Sequence, residues 1–490
     1  MAVDLRPAAL AVVIVGTGAT IALSGVILAA DSSLLRVAIA VLIVGALALV
    51  SVLRAQTAVL LTICCLPFLA LARRMLIPVA GWTSWDALLI IAPAVSLILA
   101  HRAFVLQRRP VANDLLSKLV GGVLLLSLLE SVNPAGGSLS AGIVGLLYAA
   151  APLAWFFVGR ELADERLVNS VLTSTVVVGV AVALYGLWQT TVGLPIWDAE
   201  WANVTGYTAL SVQGATRAFG TFSSSAEYGT FVGIAFVVAF VAVLHGRLIA
   251  LTALPVLGIA LFLESSRGIV VLVLAGLVMV LGMRTGRVTV TVACSALALG
   301  AAGLIITVYG PQLTDAAQHS GNPFVAHQVA GLLNPFDPNQ STLATHQSLV
   351  ANGVAASFGH PLGLGLAAIN PQGARFAATA IAGTELDISN AFVALGPLGG
   401  VLFLAVVILA LVQTSRLALS QAKLARLALV GLLTAALGQW LNGGYYAVGP
   451  LLWLLVGWAN QEWVSHRSVA QRAEPPQARA AAWPTPATGW

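Results

Sequence analysis

Four charged side chains stand at the ends of apolar segments that are long enough to cross a membrane. Arg217 and Glu227 flank the start of the segment at 227–244, and Glu264 and Arg267 lie in the very short turn that follows the next one. Arginine suits anion binding because its planar guanidinium stays charged and donates paired hydrogen bonds to phosphate oxygens. The spacing predicts a site for an anionic ligand or, alternatively, ion pairs with the nearby glutamates or with phospholipid head groups.

A second group of chemically active residues lies in one long polar segment, at about 310–390. Its apolar residues recur at steps of three and four between Leu343 and Phe358, which predicts a helix. Loops of this length are usually functional or disordered. Four of the seven histidines of the chain fall here, namely His319, His327, His346 and His360. We expect this segment to fold over the rest of the protein.

Composition defines the class of protein that must position these groups. The 490 residues are 59% hydrophobic and 8% charged, and the mean hydropathy is +0.96. These values exclude a soluble globular domain and a disordered chain, and they indicate lipid as the solvent. The net charge of +5 fits Lys and Arg retained in cytoplasmic loops, so no nucleic-acid partner is expected.

The chain is predicted to be an all-α, polytopic bundle of transmembrane helices with one large, partly helical extracytoplasmic loop. Because a span needs about 20 apolar residues, division at charges and Gly/Pro clusters yields about fourteen spans, or twelve to thirteen if a short pair is miscounted. The candidates are 10–30, 37–53, 56–72, 85–100, 115–129, 141–158, 168–191, 227–244, 248–263, 269–283, 288–309, 391–413, 427–444 and 447–461.

The basic residues predict the orientation of the bundle. With the N-terminus inside, all but six of the 23 Lys and Arg residues fall on the cytoplasmic side, as the positive-inside rule requires. The exceptions are Arg36, Arg73, Arg74, Arg217, Arg267 and Arg375, of which the first three are expected to snorkel from span ends. The predicted organisation is transmembrane helices at 1–309, an extracytoplasmic loop at 310–390, transmembrane helices at 391–467 and a disordered cytoplasmic tail at 468–490.

Four short motifs follow one another between about 217 and 413. They are the stretch from Arg217 to Gly229 (R-A-F-G-T-F-S-S-S-A-E-Y-G), Ser265-Ser266-Arg267-Gly268, the stretch from Gly359 to Gly365 (G-H-P-L-G-L-G), and Ser389-Asn390 followed by Leu395-Gly396-Pro397-Leu398-Gly399. In order and spacing they resemble R-x-x-G-T-F-x-x-P-N-x-x-G, S-R-G, H-P-L-x-G-x-G and H-N before a Gly-rich span in the O-antigen ligase and polymerase superfamily. The resemblance covers a bit under half of the chain.

The chain also departs from the family's pattern. Ser224-Ser225-Ala226 replaces the usual Pro-Asn, Ser389 stands where the family has His before Asn, and an arginine often found on the loop helix is missing, with His346 near its place. These differences do not change the implied fold, but they concern the identity of the acceptor and the activity of the protein.

The resemblance implies a C-class glycosyltransferase of the bacterial cytoplasmic membrane. Such an enzyme transfers or polymerises a glycan from an undecaprenyl or other polyprenyl-pyrophosphate carrier onto a hydroxyl of a glycan, lipid-glycan or protein acceptor at the outer face, in assembly of O-antigen, capsule or exopolysaccharide. Arg217 and Arg267 would bind the pyrophosphate, with Glu227, Glu264 and Asn390 in support. No cofactor and no metal are expected, because Asp-x-Asp is absent and the loop histidines lack zinc spacing.

An inverting single displacement needs one base for the acceptor proton, and histidine suits this role. His360, before Pro361 in the Gly-rich turn, is the first choice, with capping of the preceding helix as the alternative. His346 is the second choice, although its place on an apolar stripe also fits a buried structural histidine. His319 and His327 are interpreted as solvated loop residues.

Two other classes of function stay open. A transporter or flippase of an envelope precursor predicts paired charges or broken helices near mid-membrane, for which Pro255 is the nearest candidate. A non-catalytic scaffold of an envelope-assembly machine predicts tolerance of alanine at Arg267.

Overall fold

The structure, a computed structural model, describes residues 32–84, 86–106, 114–206, 210–212, 214–337, 343–369, 386–441 and 446–473. The predicted span 10–30, Arg375 and the chain beyond 473 lie outside these ranges. Within them the chain is almost entirely helical, and its two short strands, β1 (Ser211–Val212) and β2 (Ala215–Thr216), pair antiparallel. The prediction of an all-α, membrane-embedded protein is confirmed.

The helices form a bundle whose elements follow the apolar segments of the sequence. In chain order they are α1 (Ser32–Leu53), α2 (Ala55–Met75), α3 (Ile77–Ala80), α4 (Ile91–Leu106), α5 (Leu115–Glu130), α6 (Leu139–Leu162), α7 (Glu165–Thr191), α8 (Ile196–Thr205), α9 (Ser225–Leu244), α10 (Ala253–Glu264), α11 (Arg267–Met283), α12 (Val288–His319), α13 (Pro323–Leu333), α14 (Leu343–Gly359), α15 (Asp387–Ser420), α16 (Leu424–Ala435) and α17 (Val448–Ala473).

Eight helices in the described part of the chain are long and apolar enough to cross a membrane. Each predicted span from 37–53 onward overlaps a helix, although α16 ends at Ala435 whereas the predicted span runs to 444. Several of these helices are short: α5 has 16 residues, α11 has 17 and α16 has 12. A span across the hydrocarbon core needs about 20 residues. Within the described residues the helices of this length are fewer than the predicted spans, and the total number of spans stays a prediction.

Helices α6 and α15 are interrupted within apolar stretches. Helix α6 changes to a π-helix at Leu146–Ala150 and then to a 3₁₀-helix at Ala151–Ala154, where Pro152 has no backbone N–H to donate. Helix α15 breaks at Gly396, which has φ of 69° and is followed by Pro397. Glycine adopts this left-handed backbone without steric cost, so the break occurs at the residue that tolerates it.

The long polar loop is built on an extended helix. Helix α12 continues from Val288 to His319 through the predicted boundary at 309–310, and its 32 residues span about 48 Å at 1.5 Å per residue. That length exceeds the roughly 30 Å of a hydrocarbon core, so α12 extends beyond it. Helices α13 and α14 follow, and α14 occupies the region where the periodicity predicted a helix.

Helix α17 packs against α6 with the two backbones in close contact. A side chain on Gly159 would collide with the Leu454 carbonyl group, and one on Gly457 would collide with the Phe156 carbonyl group. Small residues allow such close helix packing in lipid, where van der Waals contact drives association. Helix α17 continues past 468, the predicted start of the disordered tail, to Ala473.

Candidate functional site

A two-residue turn joins α10 to α11 and carries the Ser-Arg-Gly motif. The carboxylate of Glu264 folds back over this turn and accepts hydrogen bonds from the Ser266 backbone N–H (3.0 Å) and the Ser266 hydroxyl (2.7 Å). Ser265 between them has φ of 63°, a left-handed conformation that is uncommon for residues other than glycine. Because Glu264 and Ser265 are also buried, the turn is held in one conformation by its own side chains.

Arg217 is bonded to this turn at three points. Its Nε donates to the Glu264 carbonyl oxygen (2.9 Å), and its Nη2 donates to the Glu264 carboxylate (2.5 Å) and to the Ser266 hydroxyl. The Glu264 side chain is fully buried, whereas 16% of the Arg217 side-chain surface is exposed. The ion pair that the sequence allowed is therefore present, and it orients the guanidinium while leaving part of it accessible.

Arg267 begins α11 and lies close to Arg217. The two positive charges act on each other. The Arg267 side chain reaches helix α13, where a side chain on Gly331 would collide with its guanidinium and where its Nη2 lies 3.2 Å from His327 Nε2. Two neighbouring guanidinium groups repel each other, and an anion bound between them would remove that repulsion. This pair has the charge of an anion-binding site.

Glu227 lies apart from the arginine pair. It is 1% exposed, and its Oε1 accepts a hydrogen bond from the Ala447 N–H (3.2 Å), immediately before α17. Its helix, α9, instead contacts the turn through Gly229, where any side chain would collide with the Glu264 carboxylate. Three of the four charged residues selected by their spacing therefore come together, and Glu227 connects α9 to α17.

The Gly-Thr-Phe segment before α9 is held by residues that the sequence did not assign to the site. Arg74 donates to the carbonyl oxygens of Gly220 (2.7 Å) and Phe222. The same guanidinium pairs with Asp198 (2.6 Å), and Gln189 Oε1 accepts from the Gly220 N–H (2.8 Å). In the sequence, these residues stand out only as polar residues within or beside apolar segments. A polar residue in such a place is costly unless it is paired.

The prediction that Arg36, Arg73 and Arg74 snorkel is wrong. Arg36 and Arg73 both bond to Asp86, at 2.7 and 3.1 Å, and Arg74 bonds to Asp198. All three arginines are buried. A buried charge persists only with a partner and satisfied hydrogen bonds. These partners could not be recognised from the sequence because they are distant along the chain.

The two Gly-rich motifs pack against each other. The Leu364 N–H donates to the Val393 carbonyl oxygen (2.9 Å), beside the break in α15. A side chain on Gly363 or on Gly396 would collide with the backbone of the opposite motif. The glycines are therefore explained by close backbone packing, which fixes the end of the long loop on the bundle.

The two histidines preferred from the sequence lie on and after α14. His360 is exposed, and its backbone closes the turn, since its carbonyl oxygen accepts from the Gly363 N–H (2.7 Å). His346 is partly buried on α14, and Asn390, which is 4% exposed, lies near the start of α15. A role for either histidine as the base stays a prediction.

His327 was interpreted as a solvated loop residue, and that interpretation is wrong. Its side chain is partly buried and lies within hydrogen-bonding distance of Arg267. His319, by contrast, has 78% of its side-chain surface exposed, as expected. The described contacts therefore place His327 beside the arginine pair.

The fold and the site together define a membrane-embedded, all-α protein with a pair of arginines where α10 and α11 meet. No family model, curated protein or solved structure matches the chain. Within the residues that the structure describes, no group of three or more His, Cys, Asp and Glu side chains is arranged to hold a metal ion. The function is therefore argued from the arginine site.

Proposed function

We propose that the chain is a membrane glycosyltransferase that transfers or polymerises a glycan from a polyprenyl-pyrophosphate carrier onto a hydroxyl acceptor. The observation that carries this proposal is the convergence of Arg217 and Arg267 on one hydrogen-bonded turn. Two arginine charges that act on each other at one turn are complementary to the negative charge of a pyrophosphate, and guanidinium groups are suitable donors to phosphate oxygens.

The arrangement of these arginines suits departure of a pyrophosphate group. Negative charge grows on the leaving oxygen as the glycosidic bond breaks, and donors that are already oriented stabilise this charge without reorganising. Arg217 is oriented in this way by Glu264 and Ser266 before any ligand arrives. Its place at the end of apolar helices strengthens the interaction, because the surroundings are less polarisable than water.

The motifs support the same proposal. The arginine that opens the R-x-x-G-T-F motif bonds directly to the turn of the Ser-Arg-Gly motif, so two segments that resemble the O-antigen ligase and polymerase superfamily form one site. The distribution of basic residues supports placing this site at the outer face of the bacterial cytoplasmic membrane, where cell-envelope polysaccharides are assembled. Polymerase, ligase and protein glycosyltransferase differ in their acceptors.

A conservative substitution tests the arginine pair. Arg217→Lys and Arg267→Lys keep the charge but lose the planar fork, so release of the carrier from a lipid-linked glycan should fall about 10- to 100-fold in each variant, as expected for loss of a charge-assisted contact. Purified protein, a polyprenyl-pyrophosphate glycan and an acceptor are the components of the assay. Arg284→Lys, an exposed residue after the opposite end of α11, is the control and should retain full activity. Full activity in both site variants would contradict the proposal.

The broken helices favour a transporter or flippase of an envelope precursor as a second candidate. Buried Arg160 pairs with Asp114 (2.7 Å), and Asn460 donates to the same carboxylate (2.9 Å), so paired charges also occur within the bundle. Liposomes that contain the protein and a fluorescent lipid-linked glycan distinguish the two functions. Translocation that requires Asp114, without carrier release, would replace the enzyme proposal.

A further inference from the structure

Helix α13 lies on the turn that carries the arginines, and its buried face contains polar groups. Phe324, Gln328 and Gly331 are buried on this face, and Arg267 covers Gly331. Gln328 is 0% exposed, and in the described part of the chain neither its Nε2 nor its Oε1 has a hydrogen-bond partner. A buried amide without hydrogen-bond partners is unfavourable.

His327 precedes this glutamine and lies within hydrogen-bonding distance of Arg267. Arg267 Nη2 lies 3.2 Å from His327 Nε2. Because arginine is a donor that keeps its proton, Nε2 must be the acceptor in this contact, so the imidazole is neutral and carries its proton on Nδ1. A neutral imidazole beside the proposed pyrophosphate site is the form that can accept a proton.

We propose that His327 is the general base that takes the proton from the acceptor hydroxyl. This assignment rests on the glycosyl transfer proposed above. Arg267 holds Nε2 while no donor is bound. When the pyrophosphate accepts the hydrogen bonds of Arg267, Nε2 becomes available to the acceptor, so donor binding prepares the base.

The transfer step is balanced without a further reactant. The acceptor oxygen bonds to the anomeric carbon as the bond from that carbon to the pyrophosphate oxygen breaks. The electron pair of the broken bond leaves with the pyrophosphate, whose charge Arg217 and Arg267 stabilise, and the hydroxyl proton passes to His327 Nε2. The imidazolium then loses this proton to water.

The groups around His327 favour its neutral form. Burial and then the positive charges of Arg267 on α11 and Arg217 after β2 lower the pKa of His327 below the ordinary histidine value. Glu264, at the end of α10, is an acidic residue of the same site, and its carboxylate is engaged by Arg217. Transfer should therefore be independent of pH near neutrality and should fall as the pH drops through this lowered pKa.

Helix α12 is also packed against α13, and Asp315 and His319 near its end lie in solvent. Asp315 and His319 have 74% and 78% of their side-chain surfaces exposed. Water screens charges at such exposed positions, so they should influence His327 little. His319 is therefore a matched control for a histidine substitution on the same loop.

The test compares His327→Ala, His327→Gln and His319→Ala in the transfer assay. The glutamine can still accept from Arg267 but cannot take a proton, so both His327 variants should lose about 10²- to 10⁴-fold in transfer while binding of the lipid-linked donor is retained. Added imidazole should restore part of the activity of His327→Ala but not of His327→Gln. The fall in rate at low pH should disappear in both, and His319→Ala should behave as the unmodified protein.

Three outcomes would overturn the assignment. Near-normal turnover in His327→Gln, with loss of the low-pH limb in His360→Ala or His346→Ala, would move the base to that histidine. Loss of donor binding in both His327 variants, with no rescue by imidazole, would make His327 a structural residue. Absence of transfer by the unmodified protein would instead show that the proposed function has failed, and this assignment with it.

Discussion

Arg74 shows how a single charged residue is accommodated within this apolar bundle. Its guanidinium pairs with Asp198 and lies over the rings of Phe219 and Trp201, with its central carbon 4.8 and 5.6 Å from the ring centroids. A buried pair of this kind contributes little net stability, but loss of one partner leaves the other charge uncompensated. Arg74 therefore shapes the segment that leads to the arginine site without needing contact with a ligand.

Substitution of Arg74 should reveal this dependence. Arg74→Met should destabilise the protein by about 3–5 kcal/mol, since the buried Asp198 carboxylate loses its partner. Thermal unfolding in detergent measures the change, and Arg284→Met, at an exposed position, is the control. The double variant Arg74→Met with Asp198→Asn should recover part of the loss. Equal stability of the single and double variants would contradict an ion-pair origin.

Some of the candidate site residues could be predicted from the sequence. Arg217 and Arg267 could be selected because both stand at span ends on the predicted outer side, against the positive-inside bias. His327 could not, since it lies 60 residues from Arg267 in the chain, and only the position of α13 brings the two together. His360 and His346 were preferred for their motif and helical stripe, which describe local conformation but not the neighbours of a side chain.

At the scale of elements, the Gly-rich motifs act through packing. Gly363 has φ of 84°, and a side chain there would collide with the backbone of α15 near its break. The loop end and the broken helix can approach only because both backbones lack side chains at the contact. The motif could be predicted from sequence, but its role as a contact between two elements could not.

Two glycines of the same motif give a matched comparison. Gly363→Ala should destabilise the protein by about 1–3 kcal/mol, because the positive φ is strained for alanine and its methyl group would collide with the Ala394 carbonyl group. Gly359→Ala should change the stability little, since nothing lies within 4 Å of the added Cβ. Thermal unfolding of both variants is the measurement. A similar midpoint for the two would show that the motif glycines are not required for packing.

At the scale of the whole molecule, orientation decides which compartment the site faces. The proposed outer location follows from the basic residues that remain on the other side, including Lys423 before α16. Phe336, in the long loop, is 80% exposed and provides a reporter for the opposite side.

Labelling with a membrane-impermeant maleimide tests this orientation in intact cells. In a variant that lacks Cys64, Cys65 and Cys294, Phe336→Cys should react in intact cells, and Lys423→Cys should react only after permeabilisation. The physical reason is the retention of positive charge on the cytoplasmic side during insertion. The reverse pattern would place the arginine pair in the cytoplasm and remove the proposed access to an outer-face acceptor.

The sequence by itself determined the class of protein and the approximate positions of its helices, because the length and hydropathy of a segment are local properties that lipid selects directly. It also identified Arg217, Glu264 and Arg267 as candidates. Only the tertiary structure decided which groups meet: Arg217 with Glu264, Arg267 with His327, and Glu227 with the chain before α17. The reason is that helices separated in the chain pack through the shape of whole faces, and hydropathy does not specify which face meets which.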